Sequence, residues 1–208
     1  MDVKSIEDMM VRVETTRDVR YSQSEYGIVV VTIYTIYQNG DITVNTTYRI
    51  EPSLRDLPRV GMELIIPEGF EYLEYYGLGP MENYRDRKGC AIQGIHRNTV
   101  EKEHFAFIPP SENGGHEDTS WISLSNNDGK TIKITSPVKF HFDAHHNSIS
   151  DYKSAKHEHE LIRRKVTYLH LDVAHSGIGS DMSWSAFLQM NDRVPAKNYT
   201  FEFTIHFD

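Results

Sequence analysis

The sequence has 208 residues, and its 30 Asp and Glu outnumber its 22 Lys and Arg, which gives a formal net charge of −8. Such a balance argues against the clustered cations that bind nucleic-acid phosphates, and no apolar run approaches the ~20 residues that cross a bilayer. The single cysteine, Cys90, excludes an internal disulfide. We therefore expect a packed domain with neither nucleic acid nor a membrane as a partner.

The first 25 residues differ from the rest of the chain. Residues 1–25 are polar, carry mixed charges and show no period, so they are interpreted as a loose lead-in or as a strand whose partner is missing. They also lack the apolar centre of a signal peptide. Residues 26–208 are predicted to form the folded domain.

A β-hairpin opens this domain. Residues 28–37 are a β-branched and aromatic run, residues 42–50 alternate apolar and polar side chains, and Asn-Gly-Asp at 39–41 is a tight-turn signal. After a proline-bounded loop, residues 60–66 and 70–76 predict a second antiparallel pair.

The rest of the chain predicts further short strands. Residues 77–87 are rich in Gly, Pro, Asn and Asp and predict an irregular loop, whereas Asn147 followed by Asp151 predicts a short helix near 148–156. The remaining strand candidates are residues 104–108, 119–124, 131–134, 138–142, 165–172, 185–190 and 199–207. Repeated short strands with polar turns predict an all-β, antiparallel sandwich or barrel.

Three loop segments carry unusual residues: 75–87, 108–115 and 175–184. Residue physics alone interprets the first two as turns that satisfy their own backbone. It places Trp184, at the end of the third, in the core, because large aromatics are usually buried. The neighbouring polar residues favour another role, since a sugar ring stacks on an aromatic face while Asn, Asp or His bind its hydroxyls.

Two cofactor chemistries fit the sequence poorly. Gly177 and Gly179 resemble a dinucleotide loop, but Met182 stands where the third glycine belongs. A zinc-protease signature would need a second histidine four residues after His157, where the chain has Leu161. The stretch that holds His141, His145, His146, His157 and His159 also suggests a structural metal, but cysteine ligands are absent and scattered surface histidines are common. The sequence therefore predicts no metal site.

A catalytic pair is equally unsupported. Glycoside hydrolysis needs two carboxyl groups ~5 to 10 Å apart, and Glu82 and Glu112 both lie in unusual loops. Nothing in their spacing brings them together, and each can instead cap a turn or pair with an arginine such as Arg85 or Arg87. The sequence predicts no catalytic residue on this chain.

The segments become informative as a set. Gly-Leu-Gly-Pro-Met-Glu-Asn-Tyr at 77–84, Pro-Ser-Glu-Asn-Gly at 110–114 and His-Ser-Gly-Ile-Gly-Ser-Asp-Met-Ser-Trp at 175–184 follow one another on one chain. Together with Leu-Pro-Arg-Val-Gly-Met-Glu at 57–63, they resemble the C-terminal domain of the large family 2 β-galactosidases, which is also found in the small subunit of two-chain forms. The resemblance runs from about residue 29 to residue 207.

The resemblance implies a fold and a set of roles. The fold is an antiparallel β-supersandwich, galactose mutarotase-like, behind a catalytic (β/α)₈ barrel that carries both catalytic glutamates and the magnesium ligands. Mg and Na are therefore expected in the parent enzyme's catalytic domain, with no cofactor on this chain. Trp184 corresponds to the family's tryptophan that packs against the substrate, and His175, Asp181 and Asn83 are weaker candidates for sugar contacts.

The resemblance also implies partners. These are a galactoside such as lactose and the remaining domains or the large subunit of a β-galactosidase, with a homo-oligomer left open. Because the family's first strands are missing, the sequence predicts an excised piece or a gene fragment, from a bacterial cytoplasm or periplasm. The isolated chain is expected to be inactive. A self-standing carbohydrate-binding module and a structural, oligomerising domain remain as alternatives.

Overall fold

A computed structural model describes residues 2–7, 10–20, 27–179 and 188–208. These ranges contain α1 (Val100–Glu103), α2 (Ile149–Ser154) and two short 3₁₀ turns, Glu158–Glu160 and Met190–Asp192. None of their helices is long and apolar enough to cross a membrane. The described strands are β1 (Asp2–Glu7), β2 (Met10–Arg20), β3 (Gly27–Tyr37), β4 (Ile42–Ile50), β5 (Arg59–Ile66), β6 (Tyr72–Gly79), β7 (Ile92–Thr99), β8 (His116–Ser125), β9 (Thr131–His145), β10 (Thr167–His175) and β11 (Tyr199–Phe207).

The strands form one antiparallel sheet that branches at β9. The main order is β1-β2-β3-β4-β11-β9-β8-β6-β7, while β10 pairs with both β9 and β5. One edge of β9 pairs with β8, and the other edge pairs first with β11, at 132–135, and then with β10, at 141–145. Two arms of the sheet therefore diverge from β9, one through β11 and one through β10.

A single hydrophobic cluster joins these arms. The ring of Phe140 on β9 lies 6.0 Å from that of Phe201 on β11. The hydroxyl of Tyr48 on β4 donates a 2.8 Å hydrogen bond to the carbonyl of Gly61 on β5. Because β4 and β5 belong to different arms, this bond shows that the arms face each other across the core, where burial of apolar surface stabilises the fold.

The predicted antiparallel all-β class is confirmed. The hairpin of β3 and β4 forms as expected, with Gly40 in its turn at φ +90°, a conformation that favours glycine. Strand β11 also has the predicted bounds. Helix α2 lies inside the predicted 148–156, but its N-cap is Ser148 rather than Asn147. The Ser148 hydroxyl accepts from the backbone of Asp151, and the Asp151 carboxylate accepts from the backbone of Ser148.

One predicted strand pairing and one predicted strand boundary were wrong. β5 and β6 are joined by a turn but do not pair, because β5 pairs with β10 and β6 pairs with β7 and β8. Residues 131–134 and 138–142 belong to one strand, β9, although Pro137 lies between them. Proline lacks the N–H that a ladder needs, and Pro137 falls where β9 changes partner from β11 to β10.

Other elements also differ from the predictions made from local sequence. Residues 104–108 form no strand, since the backbone N–H of Phe105 donates to the Asn113 side chain at 3.0 Å. The predicted 185–190 strand lies partly outside the described residues. Strand β7 was missed because this sheet-edge strand is rich in polar residues. Residues 2–7 and 10–20 form β1 and β2 instead of a loose lead-in, and β2 pairs with β3 along its whole length.

Gly61 tests how closely β5 and β10 must approach. A Cβ added at Gly61 would lie 2.6 Å from Asp172 Cα and even closer to the Leu171 carbonyl oxygen, so the strands would have to separate. We expect Gly61→Ala to lower the free energy of unfolding by about 1–3 kcal/mol. The matched control is Gly89→Ala, where an added Cβ meets nothing within 4 Å. Urea unfolding of both variants measures the difference, and equal stabilities would contradict the prediction.

Candidate functional site

The three loop segments singled out in the sequence meet in the structure. The backbone N–H of Asn83 donates to the Gly115 carbonyl at 2.7 Å, and the Gly114 N–H donates to a Glu82 carboxylate oxygen at 2.8 Å. These bonds join the first segment to the second. The third segment joins the first through Asp86. The start of the third segment, residues 175–179, is described. Asp181 and Trp184 lie outside the described residues, so their predicted sugar contacts stay predictions.

Asp86 holds the backbone of the third segment. Its carboxylate accepts hydrogen bonds from the N–H groups of Ile178, at 3.1 Å, and Gly179, at 2.7 Å. The neighbouring Gly177 is packed so closely that an added Cβ would lie 2.6 Å from the Asp86 carboxyl carbon. A residue without a side chain is therefore needed where the two loops touch. This explains one glycine of the Gly-x-Gly pattern without a dinucleotide.

Asn83 is fully buried and fastens its own loop. Its side-chain amide donates to the carbonyls of Leu78, at 2.9 Å, and Met81, at 3.0 Å, and its oxygen accepts from the Glu117 N–H at 2.8 Å. Both N–H bonds of the amide are thus used inside the fold. These contacts favour a structural role, and the predicted sugar contact of Asn83 stays a prediction.

His175 ends β10 and is buried against other rings. Its Nδ1 lies 2.7 Å from the carbonyl oxygen of Ser176, its ring stacks on His141 with centroids 4.2 Å apart, and its Nε2 lies 3.7 Å from Glu112 Oε1. Burial, reinforced by the neighbouring His141 and Arg59, lowers the pKa of His175 to about 3. The ring is therefore neutral at neutral pH.

Arg59, in the Leu-Pro-Arg-Val-Gly segment, lies at the centre of a buried ion cluster. Its Nη2 lies 2.6 Å from Asp143 Oδ2 and 2.5 Å from Asp172 Oδ2, while its Nη1 lies 3.6 Å from Glu112 Oε2. Burial opposes the charge of Arg59, but the surrounding carboxylates raise its pKa above the usual range. His170 completes the cluster through Nδ1, 2.6 Å from Asp143 Oδ1.

The two carboxyl groups considered as a catalytic pair have separate structural partners. Glu82 pairs with Arg87, as the simpler reading of the sequence predicts, and it also accepts from Gly114. Glu112 faces Arg59 instead of Arg85 or Arg87. Burial and the negative charge of Asp143 raise the pKa of Glu112 to about 7, against the effect of Arg59.

His141 belongs to the histidine-rich stretch that the sequence led us to reject as a metal site, and its place in this cluster was not predicted. Its Nδ1 lies 3.0 Å from Glu117 Oε1, and its Nε2, which is buried, has no hydrogen-bond partner among the described residues. The exposed His157 and His159, which drew the metal comparison, stack on each other at 5.6 Å outside this cluster.

One sequence signal could have found the cluster. In Phe-His-Phe-Asp-Ala-His at 140–145, His141, Asp143 and His145 alternate with nonpolar residues, which places them on the same face of a strand. Strand β10 repeats the pattern with His170 and Asp172, which register opposite Asp143 and His141. Runs of this kind predict a polar cluster between two strands, but they do not reveal Arg59 or Glu112.

The Arg59 cluster yields a stability prediction. Without the guanidinium, Asp143 and Asp172, each with 2% of its side chain exposed, would keep buried charge without their cation. We expect Arg59→Met to lower the free energy of unfolding by about 3–5 kcal/mol. The control is Arg97→Met, which removes a cation 77% exposed beside Glu74 and should cost less than about 1 kcal/mol. Denaturant titrations would refute the prediction if Arg59→Met were no less stable than the control.

Solved structures with similar folds belong to sugar epimerases. A galactose 1-epimerase from Lactobacillus acidophilus matches with a TM-score of 0.45 at 10% identity, over 100% of this chain and 66% of that one. An aldose epimerase homologue from C. elegans matches with a TM-score of 0.41 at 10% identity, over 100% of this chain and 68% of the other. Likeness at this level carries no information on activity.

Sequence comparisons are more specific. A β-galactosidase from Psychromonas ingrahamii is 31% identical over 84% of this chain, and one from Staphylococcus xylosus is 32% identical over 82%. The matches cover only 16% and 17% of those relatives, so this chain spans about a sixth of their length. The family model described as "Beta galactosidase small chain" matches residues 2–205. The chain therefore belongs to the β-galactosidase small-chain family.

Proposed function

We propose that this chain is the noncatalytic small-chain domain of a β-galactosidase and that it completes the galactoside pocket of that enzyme. Membership of the β-galactosidase small-chain family supports the assignment of this chain to such an enzyme. The observation that carries the proposal is the pair of hydrogen bonds from Ile178 and Gly179 to Asp86, because it fastens the described start of the segment that contains Trp184.

The anchor supports a binding role in physical terms. An aromatic platform contributes more to sugar binding when its orientation is held before the sugar arrives, since ordering it on binding costs entropy. Asp86 bonds two successive N–H groups of this segment, and Gly177 permits the close contact.

A noncatalytic role is supported by the partners of the two loop carboxylates. Glu82 pairs with Arg87 and a backbone N–H, and Glu112 faces Arg59. We propose that the catalytic glutamates, with the Mg and Na sites, belong to the remainder of the enzyme, which also supplies the partner surface for this domain. The galactoside is the shared ligand of both parts.

Removing the proposed platform should weaken substrate binding in the intact β-galactosidase that contains this chain. We expect Trp184→Ala to cost about 1–3 kcal/mol of substrate binding, seen as a higher KM. Asp86→Ala should shift KM in the same direction by loosening the support. The controls are Trp121→Ala, on β8, and Asp128→Ala, in an exposed turn, which should leave KM unchanged. Unchanged KM in Trp184→Ala, with native circular dichroism, would refute the platform.

The isolated chain tests the noncatalytic assignment. We expect no hydrolysis of a nitrophenyl galactoside by the purified chain, whereas turnover abolished by Glu82→Gln or Glu112→Gln would overturn the proposal. Calorimetric titration with galactose and lactose separates this role from a self-standing binding module. Millimolar or tighter binding that is lost in Trp184→Ala would favour the module, and sedimentation as a stable oligomer would favour a structural domain.

A further inference from the structure

Three side chains from distant parts of the sequence converge beside the ion cluster. Glu112, His141 and His175 each offer one ligand atom, and these atoms all lie within 4.8 Å of one another. They stand on the loop before β8, on β9 and at the end of β10. We propose that these three residues bind a divalent transition-metal ion of the Zn²⁺ class.

The hydrogen bonds of the two histidines orient their lone pairs. The Nδ1 of His141 lies 3.0 Å from a carboxylate oxygen of Glu117, and the Nδ1 of His175 lies 2.7 Å from the Ser176 carbonyl oxygen. A carbonyl or carboxylate oxygen can only accept, so each Nδ1 carries a proton, and on the neutral ring the lone pair is left on Nε2. Carboxylate and carbonyl partners of this kind orient the histidine ligands of metal ions in proteins.

The free lone pair of His141 needs an explanation. The residue is 3% exposed, and its Nε2 has no hydrogen-bond partner in the described part of the chain. An unsatisfied buried polar atom costs free energy, so such atoms are rare in folded proteins. A metal ion bound by His141 and His175 would satisfy this nitrogen.

The local charge can accept a cation. Arg59 faces three carboxyl groups, those of Asp143, Asp172 and Glu112. Two of these lie within 2.6 Å of its guanidinium, whereas Glu112 is 3.6 Å away through Oε2 and turns Oε1 toward His175 at 3.7 Å. Glu112 can thus ligate through Oε1 while Oε2 remains beside Arg59.

Donor type and spacing select the ion. Two imidazole nitrogens and one carboxylate oxygen suit zinc and its neighbours, whereas magnesium and calcium prefer oxygen alone. Tetrahedral zinc holds its ligands at ~2.0–2.1 Å, which separates neighbouring donors by roughly 3.3 Å. His175 Nε2 and Glu112 Oε1 lie 3.7 Å apart, and all three donors lie within 4.8 Å of one another, so the donors would have to move closer together to bind zinc.

The site also has room beside it. His141 and His175 line a cavity of about 200 Å³ together with Lys88, Glu117 and Asp172. Three protein ligands leave a fourth position of the ion open to water or to a ligand. A second acidic grouping, of His141 with Asp143 and Asp172, is less suited because Arg59 already occupies both of its carboxylates.

Zinc binding by the purified, untagged and chelator-stripped chain tests the proposal. We expect equilibrium dialysis to show one tight site per chain, and Co²⁺ in its place to give the visible absorption of a tetrahedral ion. His141→Ala and His175→Ala should each weaken binding by at least about 100-fold, and Glu117→Gln, which loosens the His141 ring, by about 10–100-fold. Glu112→Gln keeps the size of the side chain and covers the case in which a histidine variant does not fold.

The controls are His157→Ala and His159→Ala, which remove exposed, stacked histidines. No tight zinc binding by the wild-type chain would overturn the proposal, and so would affinity that survives Glu112→Gln and the histidine variants or that is lost in the controls. The measurement involves no galactoside, so its failure would leave the proposed β-galactosidase role untouched, and failure of that role would leave the metal site untouched.

Discussion

A guanidinium can be buried only where carboxylates replace the water it loses, because an unpaired charge in the interior costs several kcal/mol. Arg59 meets this condition through Asp143 and Asp172, whose side chains are each 2% exposed. These three residues stand on β5, β9 and β10, which pair in the order β9-β10-β5. The ion cluster therefore requires these strands to share one register, and the arm of the sheet that carries the site depends on it.

The loops of the site are arranged around this arm. His175 closes β10 directly opposite Arg59 in the strand register, so the third loop segment starts at the ion cluster. From the other side, Asp86 reaches across from the loop after β6 and holds the backbone of Ile178 and Gly179. The described start of this segment, residues 175–179, is thus held by both parts of the branched sheet.

Local sequence predicted what local physics controls. The hairpin of β3 and β4 forms because a turn with Gly40 joins two β-branched strands, and the helix near Ile149 forms because Ser148 and Asp151 cap each other. The pairing of β5 with β6 was a wrong prediction, although the two strands are joined by a short turn. The partner of β5 is β10, far along the chain, and the ion cluster and the close approach at Gly61 select it.

By itself the sequence determined the antiparallel β class, the main hairpin and, through its loop motifs, the family. Those features follow from side-chain alternation, from turn residues and from short sequence motifs that occur in a fixed order along the chain. Only the tertiary structure decided that Asn83 fastens its own loop, that Glu82 and Glu112 have different arginine partners, and that His141 stacks on His175. The physical reason is that a buried charge or ring is defined by partners that distant strands supply. The alternation along β9 and β10 marks a polar face, but it does not identify those partners.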